Sequence, residues 1–379
     1  MAEWKVPLFK IYWDEKDVDR ATEAIKKGMF WATGPDIVEF EQKLAQYLGM
    51  QYAIAVNSGT SALHAVLLAN DIGVDDEVIV PSFTFIATAN SPLFVGAKPV
   101  FADIEEQTYG LDPDDVRRKI TSRTKAILPI HHAGCPCQVK ELSQIASEHN
   151  LLLIEDAAQS FGAMVNGTKA GAFGDAAILS FCAPKIITTG EGGAVITNSR
   201  DTYEKLKLIR SHGRAETADY FSSMEYQQYV TLGYNFRMST ISAAIGVAQV
   251  DKVDQIIQMR RESAAHMTER LAKIEAIALP IAPPDYFHVY SIYSIRVKDG
   301  KDVRDKLMAY LAENGIMSRV YHEPVHLTRF YREKFGYKGG ELPVTEKVYQ
   351  QVLSLPLYPG LTKEEIDYIT EKVDHFFSH

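Results

Sequence analysis

Short apolar runs alternate with stretches of helical period along the first half of this 379-residue chain, and that order restricts its fold more than any other feature. "YAIAVN" precedes "TSALHAVLLANDIG", "EVIVP" precedes "FTFIATANSPLFVG", and "KAILPIHH" precedes "QVKELSQIASEHN", with "LLLIEDA" following at once. Strand-then-helix order needs crossover connections, which make neighbouring strands parallel. Helices on both faces then explain why the strands are apolar throughout instead of alternating. An α/β architecture with a mostly parallel, helix-covered sheet is expected. Further on, "STISAAIGVAQVDKVDQIIQMRRES" reads as one long helix that carries the chain out of this unit. After it come the period-2 strand "YSIYSIRV", the helix "KDVRDKLMAYLAENG" and a Pro- and Gly-punctuated tail, "LPLYPGLTKEEIDYITEKVDHFF". The pattern predicts a large domain over residues 1–250 and a smaller α+β domain over residues 251–379, since the chain exceeds one typical core.

Composition removes several function classes. Hydrophobic content of 46% and charged content of 23% are those of an ordinary globular chain. A formal charge of −9, with no basic cluster on one predicted face, argues against nucleic-acid binding. The start, "MAEWKVPLFKIYWDEKDV", lacks an apolar segment followed by a small-residue cleavage site, so no secretory signal is expected. No apolar run approaches the ~18 residues of a membrane-spanning helix. A cytoplasmic protein without a membrane partner is expected. Cys135, Cys137 and Cys182 cannot form a disulfide framework, and "CPC" without a second Cys/His pair at zinc spacing leaves no metal expected. "NGT" at Asn166 reads as a turn.

In an open α/β sheet, ligands bind beyond the carboxyl ends of the strands. "LLLIEDAAQS" brings Glu155 and Asp156 to such an end, where an unpaired carboxylate is costly. A lone Asp there reads more often as a helix cap or a structural ion pair. Here it has company. "NSGTSAL" sets Gly59, Thr60 and Ser61 at a strand-to-helix junction, where free N–H groups and hydroxyls make an anion site. "SFCAPKIITTGEGG" places Lys185 between a buried strand and a glycine turn, instead of on a charged helix face. Burial lowers a lysine's pKa, and a neutral amine can attack an aldehyde. Amine, strand-end carboxylate and phosphate cradle together are what pyridoxal phosphate requires.

With these residues in hand, the chain resembles the sugar aminotransferases of the DegT/DnrJ/EryC1/StrS family, pyridoxal-phosphate enzymes of fold type I that aminate nucleotide-linked keto sugars. The resemblance runs from "WATGPDIVEFEQKLAQYLG" through "NSGTSAL", "PSFTF", "HHAG", "EDAAQSFGA", "SFCAPKIITTGEGG" and "LGYNFRMSTISAAIGVAQ" to "LSLPLYPGLT". It implies that Lys185 forms the Schiff base, that Asp156 partners the pyridinium nitrogen, and that Gln159 bonds near the ring hydroxyl. Phe85 would stack on the ring face, although a core aromatic is an equal reading. Thr60, Ser61 and Ser180 would hold the phosphate, with Gly59 allowing close approach. Asn235, otherwise a turn residue, would reach the neighbouring site of a homodimer. His131 and His326 would line the substrate pocket, or else be structural histidines. The implied substrates are a nucleotide keto sugar and an amino acid, L-glutamate by family analogy.

Cys182 stands where many relatives carry His, and Phe85 where Trp or Tyr is frequent. Pro184 is also unusual before the lysine. These departures bear on the sugar's identity more than on the reaction. A related branch with His in place of the lysine performs dehydration, which Lys185 argues against. A non-catalytic regulatory relative would have lost the lysine or the cradle. A nicotinamide-dependent oxidoreductase would need G-x-G-x-x-G after its first strand, which "NSGTSAL" is not.

Overall fold

Each apolar run quoted above forms a strand. The computed structural model describes residues 4–215 and 228–378. Seven strands, β1 (Tyr52–Val56), β2 (Glu77–Pro81), β3 (Lys98–Ala102), β4 (Thr124–Ile127), β5 (Leu152–Asp156), β6 (Ala176–Ser180) and β7 (Gly193–Thr197), make the central sheet. Their order is β1-β7-β6-β5-β4-β2-β3. All neighbours pair in parallel except β7, which runs antiparallel to both β1 and β6.

Both faces of the sheet are buried, as the unbroken apolar runs require. On β6, Ala177 and Leu179 pack with Phe40 and Leu44 of the helix Pro35–Leu48 on one side. Ala176 and Ile178 pack with Leu63 and Val66 of the helix Gly59–Ala69 on the other. This two-sided packing holds the strand ends rigidly, and the β1 and β6 ends flank the start of β7: Gly193 pairs with both Val56 and Ser180.

The single long helix expected after residue 239 is two helices, Thr240–Asp251 and Val253–Leu271. Lys252 leaves the helical conformation at φ −114° and ψ 8°. Its ammonium lies 2.5 Å from both Asp14 and Asp17, and this largely buried ion pair fixes the side chain at the break. The second helix joins two cores. Val253, Ile256 and Ile257 pack in the core beside the large sheet. Ala264, Met267 and Leu271 pack against a second, antiparallel sheet of β8 (Ile277–Ala278), β9 (Tyr293–Val297) and β10 (Val352–Leu355). Val6, from the N-terminal segment, also belongs to this second core. Among the described residues, no helix is long and apolar enough to cross a membrane.

Candidate active site

β5 ends in two adjacent carboxylates, and the pleat of a strand sends neighbouring side chains to opposite faces. Glu155 is fully buried and tied off. Its Oε1 accepts from the N–H groups of Phe173 at 2.7 Å and Gly174 at 2.8 Å. Its Oε2 accepts from Gly171 N–H at 2.8 Å and lies 2.8 Å from His131 Nε2. His131 Nδ1 accepts from the N–H of Cys137 at 3.1 Å, so the ring proton sits on Nε2 and is donated to Glu155.

That geometry corrects the pocket-lining role given to the two histidines. His131 is fully buried and both its nitrogens are used within the fold. His326 is also fully buried, with Nδ1 2.7 Å from Ser82 Oγ and Nε2 3.1 Å from Glu346. Neither lines the cavity described below. Their identity as histidines met the need of buried polar groups for partners, a demand that sequence spacing does not separate from ligand binding.

Asp156, on the other face, accepts from the Thr88 hydroxyl at 2.7 Å and from Ala158 N–H at 3.1 Å. Burial pushes its carboxyl pKa up from the ordinary value, while these two donors and the nearby Lys185 draw it down. Lys185 stands in the loop between β6 and β7. Ile186 and Ile187 sink into the core, Thr188 Oγ1 donates to Phe181 O at 3.0 Å, and Thr189 Oγ1 donates to Glu191 O at 2.8 Å. The loop is thereby pinned, and the lysine has little freedom except toward the cavity. Its burial lowers the ammonium pKa, opposed by Cys182 and Asp156.

The anion cradle follows from the β1/β7/β6 arrangement. Ser58 caps the helix Gly59–Ala69, accepting from Ser61 N–H at 3.0 Å. A methyl group at Gly59 would stand 2.9 Å from Ser180 Cβ and 3.2 Å from its Oγ, so glycine is what lets this helix start approach the β6 end. The remaining first-turn N–H groups and the dipole favour an anion there. Ser61 is less available than its spacing implies: its Oγ accepts from Ser58 Oγ at 3.0 Å, and it does not line the cavity.

A cavity of about 480 Å³ opens over these groups. Gly59, Thr60, Phe85, Asp156, Gln159, Ser180 and Lys185, all singled out in the sequence, line it together with Cys182 and Pro184. Phe85 is 56% exposed, which removes the core-aromatic reading. Gln159 Oε1 accepts from Ala133 N–H at 2.7 Å, leaving its NH2 end as the free donor. Asn235 is exposed, lies outside the cavity lining, and accepts through its backbone O from Asn57 Nδ2 at 3.3 Å. Sequence reasoning missed Arg319, Tyr321 and His322, which also line it, with Ser291, Leu355 and Leu357. The available signal was the run "SRVYHEP", whose cation and aromatics follow no helical or strand period.

Comparisons with known proteins place the chain in a family. A model of the DegT/DnrJ/EryC1/StrS aminotransferase family matches residues 12–374. The chain is 38% identical to the GDP-perosamine synthase of Caulobacter vibrioides, over 95% of each chain. Among solved structures, it superposes on S. venezuelae DesV, solved in complex with a ketimine intermediate, with a TM-score of 0.91, 32% identity and 99% of each chain covered. The PLP-form of the sugar aminotransferase Spr1654 from Streptococcus pneumoniae gives a TM-score of 0.92 at 26% identity, covering 98% of each chain.

Proposed function

The chain belongs to the DegT/DnrJ/EryC1/StrS aminotransferase family, of pyridoxal-phosphate-dependent fold type I, and we propose that it moves an amino group from L-glutamate to the keto group of a nucleotide-linked deoxysugar. We take residues 1–250 as the cofactor-carrying domain and 251–379 as the smaller one, working in the cytoplasm. The named relative that makes a GDP-linked amino sugar supports this substrate class. The observation that carries the reading is a half-buried lysine amine and a buried carboxylate lining one cavity beside a glycine-opened helix N-terminus.

Pyridoxal phosphate, when bound, supplies an aldehyde for an amine and a ring that withdraws electrons from the carbon losing its proton. Lys185 is the amine for that aldehyde, and its lowered pKa favours the neutral Nζ. The same Nζ, placed in the cavity with Asp156, would be the base that takes and returns the proton of the reacting carbon. Asp156, oriented by Thr88 and the Ala158 N–H, is the carboxylate that holds a proton on the ring nitrogen. Gln159, with its NH2 end free, would donate to the ring hydroxyl, and Phe85 would cover the ring face. Thr60, Ser61, Ser180 and the Gly59 backbone form the phosphate seat, Ser61 mainly by organising the helix start.

We further propose a homodimer in which Asn235 serves the partner's phosphate seat. Its exposure outside its own cavity supports this, as do the exposed apolar side chains of Phe94, Tyr229 and Leu232. The function is tested by adding pyridoxal phosphate to purified protein and assaying a panel of nucleotide keto sugars with glutamate. A yellow absorbance bleached by borohydride, with amino-sugar formation, is expected. A protein that stays colourless and binds no cofactor would refute it.

A further inference from the structure

His322 lines the cavity, and one nitrogen of its ring has nothing to bond. Its Nε2 is buried and without a hydrogen-bond partner among the described residues. Buried polar atoms are almost always satisfied, so an unsatisfied one in a cavity wall marks a place where a ligand completes the bond. The ring is held by other aromatics: Phe85 meets it edge-on at 6.1 Å, and His132 at 6.0 Å. His132 is fully buried, 4.9 Å from Phe83 and 5.7 Å from Tyr109, and both of its nitrogens are likewise unpartnered among the described residues.

The chemistry of the missing partner follows from the charges around the ring. Burial, together with His132, Lys185 and Arg319, keeps the imidazole pKa well below its ordinary value. The ring is therefore neutral, with one nitrogen donating and one accepting. Such a group is a poor counter-ion for carboxylate or phosphate, but it matches a hydroxyl, which both gives and accepts a bond. Anionic parts of either substrate have Arg319, the one cation besides Lys185 among the residues lining the cavity. The amino donor brings carboxylates, while the sugar brings hydroxyls.

We propose that His322 hydrogen-bonds a ring hydroxyl of the sugar through Nε2 and so determines which sugar is accepted. This rests on the aminotransferase reading above. The test compares holoenzyme, His322→Phe and His322→Gln in the two half-reactions, each followed by cofactor absorbance. Glutamate serves as donor, and a panel of dTDP-, UDP- and GDP-linked keto deoxyhexoses as acceptors. His322→Phe is expected to lower kcat/KM for the preferred sugar about tenfold more than for glutamate, mainly through KM, and to flatten the preference across the panel. His322→Gln, whose amide places a donor where Nε2 was, restores part of that preference. The proposal fails if both half-reactions drop by one factor, if the panel ranking is unchanged, or if both variants lose the cofactor. Wild-type protein that binds no cofactor or converts no sugar overturns the aminotransferase reading as well, which separates the two failures.

Discussion

The floor of the cavity and the rest of its wall are made in different ways. The floor, with Gly59, Asp156, Ser180 and Lys185, sits at or just beyond the ends of β1, β5 and β6, strands clamped between helices on both faces. The wall, Arg319 to His322 with Leu355 and Leu357, comes from the segment beside β10, which packs in the second core. Chemistry that needs fixed geometry belongs on rigid strand ends, whereas choice of substrate belongs on a surface whose side chains can change without disturbing them. The difference teaches that reaction rate and substrate choice should respond to substitutions on separate elements.

The sharpest way to break that contrast is at the floor. Lys185→Ala is expected to lower turnover with saturating substrates by about 10³-fold or more, measured by a coupled assay for 2-oxoglutarate, and to abolish borohydride-bleachable colour. If the colour survives, another amine does the work. Asp156→Asn keeps size and the Thr88 contact while removing charge, and about a 10²-fold loss in rate is expected in the same assay, for both half-reactions alike. His131→Phe addresses the residue buried behind the floor. It removes the one side-chain donor to Glu155, leaving the three backbone N–H groups, and should cost about 2 kcal/mol of stability in urea titrations, with turnover of folded enzyme changed less than about twofold. A large drop in turnover there would return His131 to the site.

Gly59→Ala sharpens the cradle's part. Its methyl group meets Ser180 at 2.9 Å, so the cofactor dissociation constant is expected to rise about tenfold in titrations of the apo-protein, with a smaller change in turnover at saturation. The smallest effect concerns pH. Lys185 has a lower pKa in the fold than the ordinary 10.5 of an unfolded chain, so between those values the unfolded state binds more protons and stability rises with pH. Apo Lys185→Met should therefore melt above the wild type at pH 7, and the gap should close as pH approaches 10.5. A gap independent of pH in calorimetry would mean that the lysine is not desolvated.

Much of the floor could be read from the sequence because its residues lie in short contiguous motifs at the ends of apolar runs. Parallel order, the strand ends, Asp156 and Lys185 all follow from local pattern plus the rule that ligands bind beyond carboxyl ends. The break at Lys252 did not follow, because the hydrophobic period continues across it and the aspartates that hold this lysine are distant in sequence. His131 and His326 were placed in the pocket by resemblance, and nothing in their spacing encodes the carboxylates of Glu155 and Glu346 that hold them. Arg319 and His322 escaped notice for the complementary reason: they reach the cavity through tertiary packing, Arg319 beside β10 and His322 against Phe85 and His132, which the pattern did not announce.

The two carboxylates that close β5 stand in adjacent pleats and hold unlike duties. Insert or delete one residue ahead of them, with pairing to β4 and β6 otherwise kept, and the pair would trade sides: the acid that now braces three backbone amides and an imidazole would face solvent and ligand, while its neighbour would be entombed. The two duties are thus held apart by a frame with a period of two, so the strand tolerates changes of side chain far better than changes of length.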